Sequence, residues 1–142
     1  MTANLPDTTE LERLTLSLSV LLPRLDVIAN EFCTILEHAN PSLRLKIPSN
    51  EKVVAVGIEE LLNTVRDANQ APAVMSRYNA MGREAGIDET HLPVLLASIQ
   101  TAMAETAGYT WTDALEDTWS IWFDALVEWA VHAQPVSETQ AA

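Results

Sequence analysis

Residues 30–44 read NEFCTILEHANPSLR, and this stretch predicts a helix that ends in a sharp corner. Apolar residues recur here every three or four positions, which is the spacing of one face of an α-helix. Asn40, Pro41 and Ser42 end that pattern, since proline cannot continue a helix. We therefore expect a helix over residues 24–38 whose inward side chains are Leu25, Ile28, Phe32, Ile35 and Leu36.

The same helical spacing continues on both sides of this stretch and predicts an all-α fold of six to seven helices. No segment alternates polar and apolar residues as a strand would, and the 142 residues suit a single domain over residues 1–142. Residues 41–48 are expected to form a short turn or 3₁₀ piece, and residues 1–7 and 135–142 to fray. A first helix is expected to begin at a capping box of Asp7 and Glu10 and to end at Pro23, and another to run from a cap at Ser49 or Asn50 to Arg66. Two more are expected from Ala71 to Arg83 and, with Asp88 as its cap, from His91 to Thr106. The last is expected to run from a capping box of Thr110 and Asp113 to about Ala133.

The charge of the chain is strongly negative and unevenly distributed. The formal net charge is −12, and all eight lysines and arginines precede residue 84. From Glu84 onward there are ten acidic residues and no lysine or arginine. Such a surface repels phosphate backbones and anionic lipids, so neither nucleic acid nor a membrane is an expected partner. The charge either keeps the protein soluble or presents a surface to a basic protein partner.

Targeting and redox features predict a cytoplasmic protein. No apolar run reaches the roughly 18–20 residues that a membrane-spanning helix needs, and residues 1–14 lack the pattern of a secretory signal. Cys33 is the only cysteine, so it cannot form an internal disulfide, as is usual in a reducing compartment. Cys33 lies among apolar neighbours, which favours a buried structural thiol over a reactive or ligating one.

Three stretches in order resemble bacterial haemoglobins, and together they cover roughly residues 8–134. NEFCTILEHANPSLR is similar to the second helix and the corner after it in that family. MGREAGIDETHLPVLLASIQTAM, residues 81–103, resembles the passage from the proximal helix into the next one. WTDALEDTWSIWFDALVEWAV, residues 111–131, is similar to the final helix. The resemblance implies a globin-like fold.

The same resemblance implies that the chemistry of the haem pocket has changed. In the family a histidine four residues before a glycine of the proximal helix binds the haem iron, and the matching position before Gly82 is Tyr78. The three histidines, His38, His91 and His132, all lie outside residues 66–83, so a small shift of the alignment does not supply that ligand. A globin whose iron ligand comes from elsewhere in the chain is a third, weaker interpretation. A metal site built on His38 and His91 lacks the accompanying ligands that zinc needs.

Further positions that contact haem in the family also differ here. A tyrosine and a glutamate that orient the proximal histidine correspond to Phe123 and Gln134, which cannot polarise an imidazole. On the distal side, Cys33 replaces a tyrosine, Ile47 replaces a stacking phenylalanine, and Val53 is the best match to the gate residue. The predicted lining of the remodelled pocket is Phe32, Cys33, Ile47, Val53, Gly57, Tyr78, His91, Leu95, Trp119 and Phe123.

Tyr78 has two interpretations. As a phenolate it can bind ferric haem, as the tyrosine of catalase does. Free tyrosine ionises near pH 10, so a phenolate needs a cation beside it, and the neighbouring Arg77 points about 100° away around a helix. The other interpretation is that Tyr78 fills the space of the missing imidazole, which avoids the free-energy cost of a cavity.

The four tryptophans also allow two interpretations. Trp119, Trp122 and Trp129 share one helical stripe with Leu126 and are expected in the core. Since the last two long helices of globins commonly form subunit contacts, the resemblance also implies a homodimer through them.

Two functions follow from the sequence, and neither is enzymatic, because no phosphate loop or nucleophile elbow is present. The first is a haem-free globin-like regulatory, sensor or interaction module whose pocket has collapsed or binds a small apolar ligand. The alternative is a haem protein with Tyr78 as the axial ligand, for haem transfer or for gas or redox sensing.

Overall fold

The computed structural model describes residues 5–141, with side chains described as far as His132, and α-helices make up most of this part of the chain. No β-strand occurs within residues 5–141. Short 3₁₀ turns join several of the helices. The seven α-helices are α1 (Thr8–Leu21), α2 (Leu25–Ala39), α3 (Pro41–Lys46), α4 (Glu51–Asn63), α5 (Ala71–Glu84), α6 (Leu92–Ala107) and α7 (Asp113–Ala141).

Most helix starts and ends are set by the residues that the sequence predicted. The carboxylate of Asp7 accepts from the backbone N–H of Glu10 at 2.8 Å, and the carboxylate of Glu10 accepts from the backbone N–H of Asp7 at 2.9 Å. These two hydrogen bonds confirm the first capping box. Pro23 lies in a 3₁₀ turn between α1 and α2. Asn50 caps α4 by accepting from the N–H of Lys52 at 2.9 Å. Gly86, just after α5, has a φ of +86°, a conformation that favours glycine.

Apart from the start of α7, four boundaries differ from the predictions. The corner after α2 is a six-residue α-helix, α3, because the Asn40 side chain caps it by accepting from the N–H of Leu43 at 3.1 Å. The last turn predicted for α4 is a 3₁₀ turn, Thr64–Arg66. Asp88 caps a 3₁₀ turn, Glu89–His91, and α6 starts after that turn. α7 extends to Ala141, past the predicted end near Ala133 and into the segment expected to fray.

The predicted capping box at the start of α7 was wrong. Thr112 performs this role, since its hydroxyl accepts from the N–H of Leu115 at 3.1 Å. The hydroxyl of Thr110 instead donates to the carbonyl of Ala107 at 2.8 Å, within a 3₁₀ turn that precedes α7. Of the termini predicted to fray, residues 1–4 and 142 lie outside the described part.

The helices enclose one apolar core. α2 packs against α4 and α6, while α5 packs against α7, and α1 lies against α6 and α7. Of the inward residues predicted for α2, Ile28, Phe32 and Leu36 are buried and Leu25 and Ile35 are partly buried. Leu14 and Leu18 of α1 are also buried. Burial of large apolar side chains of this kind is the main favourable contribution to folding.

Tryptophan side chains connect α7 to other parts of the core by hydrogen bonds as well as by packing. The indole N–H of Trp122 donates to the Thr64 hydroxyl at 2.9 Å, and that of Trp119 donates to the Ser17 hydroxyl at 3.2 Å. Trp119 and Trp122 are fully buried, whereas Trp111 and Trp129 are only partly buried. The prediction that the stripe belongs to the core is thus confirmed for Trp119 and Trp122.

The chain is all-α, and the order and packing of its helices are consistent with a globin-like fold. Among the described residues, no helix combines the length and the apolar character needed to cross a membrane.

Candidate functional site

Tyr78 lies on α5 and faces α4. Its hydroxyl donates a hydrogen bond of 2.7 Å to Oε1 of Glu60. A Cβ built on Gly57, one turn before Glu60 on α4, would lie 3.6 Å from the Tyr78 hydroxyl oxygen, which is an ordinary van der Waals distance. Of the predicted pocket residues, Gly57 and Tyr78 are therefore neighbours in the structure.

The surroundings of Tyr78 keep its phenol protonated. Burial is the main reason, and the hydrogen bond to Glu60 and the negative charge of Glu60 act in the same direction, so the pKa of Tyr78 rises to about 12. Arg77 favours the phenolate, but its effect is smaller. The hydrogen bond from Tyr78 also lowers the pKa of Glu60, so Glu60 is held in its charged form. At neutral pH the pair is a phenol donating to a carboxylate.

Arg77 reaches the same carboxylate in spite of its different direction on α5. Its guanidinium forms an ion pair with Oε2 of Glu60 and lies 5.5 Å from the centroid of the Tyr78 ring. The sequence predicted that Arg77 points away from Tyr78, and it did not identify Glu60. The only sequence signal for Glu60 was its acidic side chain three positions after Gly57. That signal does not identify a partner of Tyr78 unless the packing of α4 against α5 is known.

This arrangement does not fit the role that the resemblance implies for an axial haem ligand. A tyrosine binds ferric iron as a phenolate, which requires loss of its proton and a free oxygen lone pair directed at the metal. Tyr78 keeps its proton, and its oxygen is directed at the carboxylate of Glu60. The negative charge of Glu60 opposes the formation of a second negative charge 2.7 Å away.

Four other predicted pocket residues are part of the packed core. Phe32, Cys33, Trp119 and Phe123 are all buried, and the rings of Trp119 and Phe123 pack at a centroid distance of 5.5 Å. Burial raises the pKa of the Cys33 thiol, an effect that Arg44 only partly offsets. Cys33 therefore has the features of a structural, protonated thiol rather than of a nucleophile.

The remaining predicted pocket residues do not converge on Tyr78. Ile47 and Leu95 are partly buried against the core. The prediction that Val53 points inward was wrong: its side chain is 51 % exposed, because one position along α4 turns the chain about 100° and places Val54 inward instead. Gln134 lies on α7 beyond the residues whose side chains are described.

The histidines have local structural roles. Nδ1 of His91 accepts from the backbone N–H of Asp88 at 3.2 Å and so completes the cap before α6. Nδ1 of His38 lies 2.9 Å from the carbonyl oxygen of Thr34, and Nε2 of His132 lies 3.8 Å from Glu128. In the described part of the chain, no group of three or more histidine, cysteine or acidic side chains is placed to hold a metal ion.

An open groove that the sequence did not predict runs between α6 and α7. It consists of two adjoining depressions of about 430 and 340 Å³ that share Ala97, Gln100 and Ser120. Phe123 is the only predicted pocket residue among its lining residues. We call it the α6/α7 groove, and its lining is Pro93, Leu96, Ala97, Gln100, Thr101, Ala104, Glu105, Glu116, Ser120, Phe123, Asp124 and Val127.

Comparison with known proteins adds no family to these observations, since no protein-family model and no curated protein matches the chain. A functional assignment therefore depends on what the residues themselves can do.

Proposed function

We propose that this chain is a globin-like regulatory, sensor or interaction module that works without haem and is not an enzyme. The observation that carries the proposal is the state of Tyr78, which stands where the resemblance implies the iron ligand. Its proton is retained and its hydroxyl is bound to Glu60, so the chemistry that would hold iron is directed at a carboxylate.

The core residues support the same proposal. Phe32, Cys33, Trp119 and Phe123, which would line a haem or ligand pocket, belong to one buried core, and the rings of Trp119 and Phe123 pack against each other. A module of this kind acts through its surface, and the groove and negative charge of α6 and α7 make that pair of helices the proposed interaction face. The resemblance favours a homodimer through this face, whereas its charge favours a basic protein partner.

The proposed location is the cytoplasm of a bacterial cell. The single cysteine, buried and protonated, is consistent with that reducing compartment.

The alternative function is a haem protein with Tyr78 as its axial ligand, for haem transfer or for gas or redox sensing. The specific observation in its favour is Arg77, whose guanidinium lies 5.5 Å from the Tyr78 ring and lowers the pKa of the phenol. Burial and Glu60 outweigh that contribution, so we rank this function second.

The deciding experiment is a titration of the purified protein with haemin, followed by absorption spectroscopy. The wild-type chain is expected to show no Soret band as isolated and no saturable, shifted band on titration. Glu60→Gln is the sharpest companion variant, because it removes the charge that opposes the phenolate while keeping a hydrogen-bond acceptor.

A stoichiometric Soret band with a tyrosinate charge-transfer feature would overturn the proposal in favour of the alternative. That charge-transfer feature should then be lost in Tyr78→Phe. It should be kept in Tyr109→Phe, because Tyr109 is 98 % exposed and is not one of the predicted pocket residues. A haem spectrum that neither substitution changes would place the ligand elsewhere in the chain.

A further inference from the structure

The α6/α7 groove is long, shallow and largely apolar. On α6, its lining residues recur every three or four positions from Pro93 to Glu105, a distance of roughly 18 Å at 1.5 Å per residue. The parallel row on α7 runs from Glu116 to Val127. Ala97 and Ala104 on α6 and Ser120 on α7 are small, so they leave room for a third helix to approach both helices closely. The dimensions therefore suit about three turns of a helix.

The rim of the groove carries only negative charge. Glu105 on α6 and Glu116 and Asp124 on α7 line it, and no lysine or arginine occurs after residue 83 of the sequence. Glu105 and Asp124 are exposed and form no hydrogen bond or ion pair that would neutralise them from within the described chain. The Glu116 carboxylate accepts from the side-chain amide of Gln100 at 2.9 Å and from the indole N–H of Trp111 at 2.6 Å, and neither donor carries a charge.

Arg13 is hydrogen-bonded to α7 on the side of that helix opposite the groove. Arg13 donates to the Thr118 hydroxyl at 3.3 Å. At 100° per residue, Thr118 lies about 180° around α7 from the middle of the groove row. Arg13 therefore leaves the negative potential of the groove in place.

We propose that the α6/α7 groove binds one basic amphipathic helix of a partner protein, with the apolar face of that helix on Pro93, Ala97 and Val127 and its basic flanks against the acidic rim. This inference rests on the proposed function as an interaction module, and it names the partner chemistry. The two features needed are both present: an apolar floor that gains free energy by being covered, and a rim whose charge selects the sign of the partner.

The same charge disfavours a second copy of this chain as the occupant. A symmetric dimer through the groove would bring the acidic rims of two identical faces together, and like charges across an interface cost free energy. A basic helix turns the same acids into favourable contacts. The homodimer implied by the resemblance and the basic partner therefore make opposite predictions about salt.

The test uses the full-length protein and a labelled synthetic peptide of about 18 leucine and lysine residues patterned as an amphipathic helix, long enough to span the groove. Fluorescence anisotropy is expected to show saturable 1:1 binding that weakens at least tenfold as NaCl rises from about 0.05 to 0.5 M, since salt screens the rim. A scrambled peptide of the same composition, without an apolar face, should bind at least tenfold more weakly.

Two variants locate the binding. Ala97→Trp fills the exposed groove without changing charge and should weaken binding at least tenfold. Glu105→Lys with Asp124→Lys should do the same, whereas Glu59→Lys with Asp67→Lys, an equal change of net charge at exposed residues outside the groove, should weaken it less than threefold. Circular dichroism confirms that each variant is folded.

Several results would overturn the proposal. These are no saturable binding, equal weakening by the two charge-reversed pairs, or insensitivity to Ala97→Trp. Self-association in sedimentation experiments that increases with salt and is abolished by Ala97→Trp, without peptide binding, would identify a second copy as the occupant. Haemin binding by the wild-type chain would overturn the proposed function separately, and the peptide measurements do not depend on it.

Discussion

At the scale of single residues, the protonation of Tyr78 separates the two functions. Glu60 and Arg77 act on the phenol in opposite directions, and burial decides the balance in favour of the protonated form. The identity of the residue alone could not reveal this, because tyrosine is equally suited to bind ferric iron and to fill a cavity. The carboxylate of Glu60 on the facing helix α4 adds to the effect of burial and favours the protonated phenol.

Tyr78 should ionise only in strongly alkaline solution. In the Tyr109→Phe variant Tyr78 is the only tyrosine, so the phenolate absorption band reports on it alone. We expect half-ionisation of the folded variant near pH 12, and a further substitution of Glu60→Gln should lower that pH, because both the charge and the strong hydrogen bond of Glu60 are removed. Ionisation at or below the ordinary pKa of 10.0 would contradict this and revive the phenolate ligand.

The same shift makes a prediction about stability at high pH. The folded-state pKa of Tyr78 is raised, so its contribution to stability is fully present below pH 10.0 and is lost as the pH rises toward about 12. The free energy of unfolding of wild type should therefore fall more steeply across this range than that of Tyr78→Phe. Urea denaturation at several pH values measures the difference. If the free energy of unfolding depends on pH in the same way in both proteins, the pKa of Tyr78 is not raised in the folded state.

Cys33 should be nearly inert in the folded protein. Its thiol is buried and its pKa is raised, so the reactive thiolate is rare and inaccessible. Modification by a thiol reagent should be on the order of 100-fold slower than in urea, because reaction needs a local opening of α2. Equal rates in both conditions would show that Cys33 is accessible and would restore it as a candidate reactive site.

At the scale of elements, the helices were predictable and several of their ends were not. A local signal such as the Asp7–Glu10 capping box depends only on neighbours in the sequence, and this box is confirmed. The predicted start of α7 was wrong because Thr110 has the acidic residue Asp113 three positions later, whereas the residue that caps the helix, Thr112, is followed there by Leu115. The side of α4 that Val53 occupies was also wrong, since consecutive valines do not show which one faces the core.

The start of α7 can be tested with two threonines. Thr112→Ala removes the acceptor for the N–H of Leu115 and should lower the free energy of unfolding by about 1 kcal/mol. Thr110→Ala changes a residue outside the helix and should cost less than about 0.5 kcal/mol. Denaturant unfolding of both variants makes the comparison, and the reverse order would support the predicted capping box of Thr110.

The contact between the 3₁₀ turn after α4 and α7 depends on a buried hydrogen bond. Thr64→Val leaves the indole N–H of Trp122 without its acceptor and should lower the free energy of unfolding by about 1–3 kcal/mol. In a Trp122→Phe background, where no indole N–H remains, the same substitution should cost less than about 0.5 kcal/mol. An equal cost in both backgrounds would mean that the bond contributes nothing.

At the scale of the whole molecule, the sequence predicted the all-α class of fold, but not the Glu60 contact or the α6/α7 groove. The charge asymmetry was visible in the sequence because it needs only counting. The groove needed the relative placement of α6 and α7, which brings small residues such as Ala97 and Ser120 opposite each other. Both the Glu60 contact and the groove are formed by residues that are distant in the sequence, so no local sequence pattern predicts them.

The uneven charge should make the molecule more stable in salt. A net charge of −12 repels itself within a compact fold, and screening relieves that repulsion. Raising NaCl from about 0.05 to 0.5 M should raise the Tm by about 3 °C, which corresponds to roughly 1 kcal/mol for a chain of this size. Differential scanning calorimetry measures the change.

Paired neutral substitutions show where that repulsion originates. Glu105→Gln with Asp124→Asn removes two charges from the half that has no lysine or arginine, so it should raise the Tm at low salt and reduce the further gain from salt. Glu59→Gln with Asp67→Asn removes two charges from the half that contains all eight bases, where acids also have favourable partners, and should raise the Tm less. Equal effects of the two pairs would show that only total charge matters. A larger effect at α6 and α7 would mean that this face bears unrelieved repulsion in the isolated chain, which a basic partner would relieve on binding.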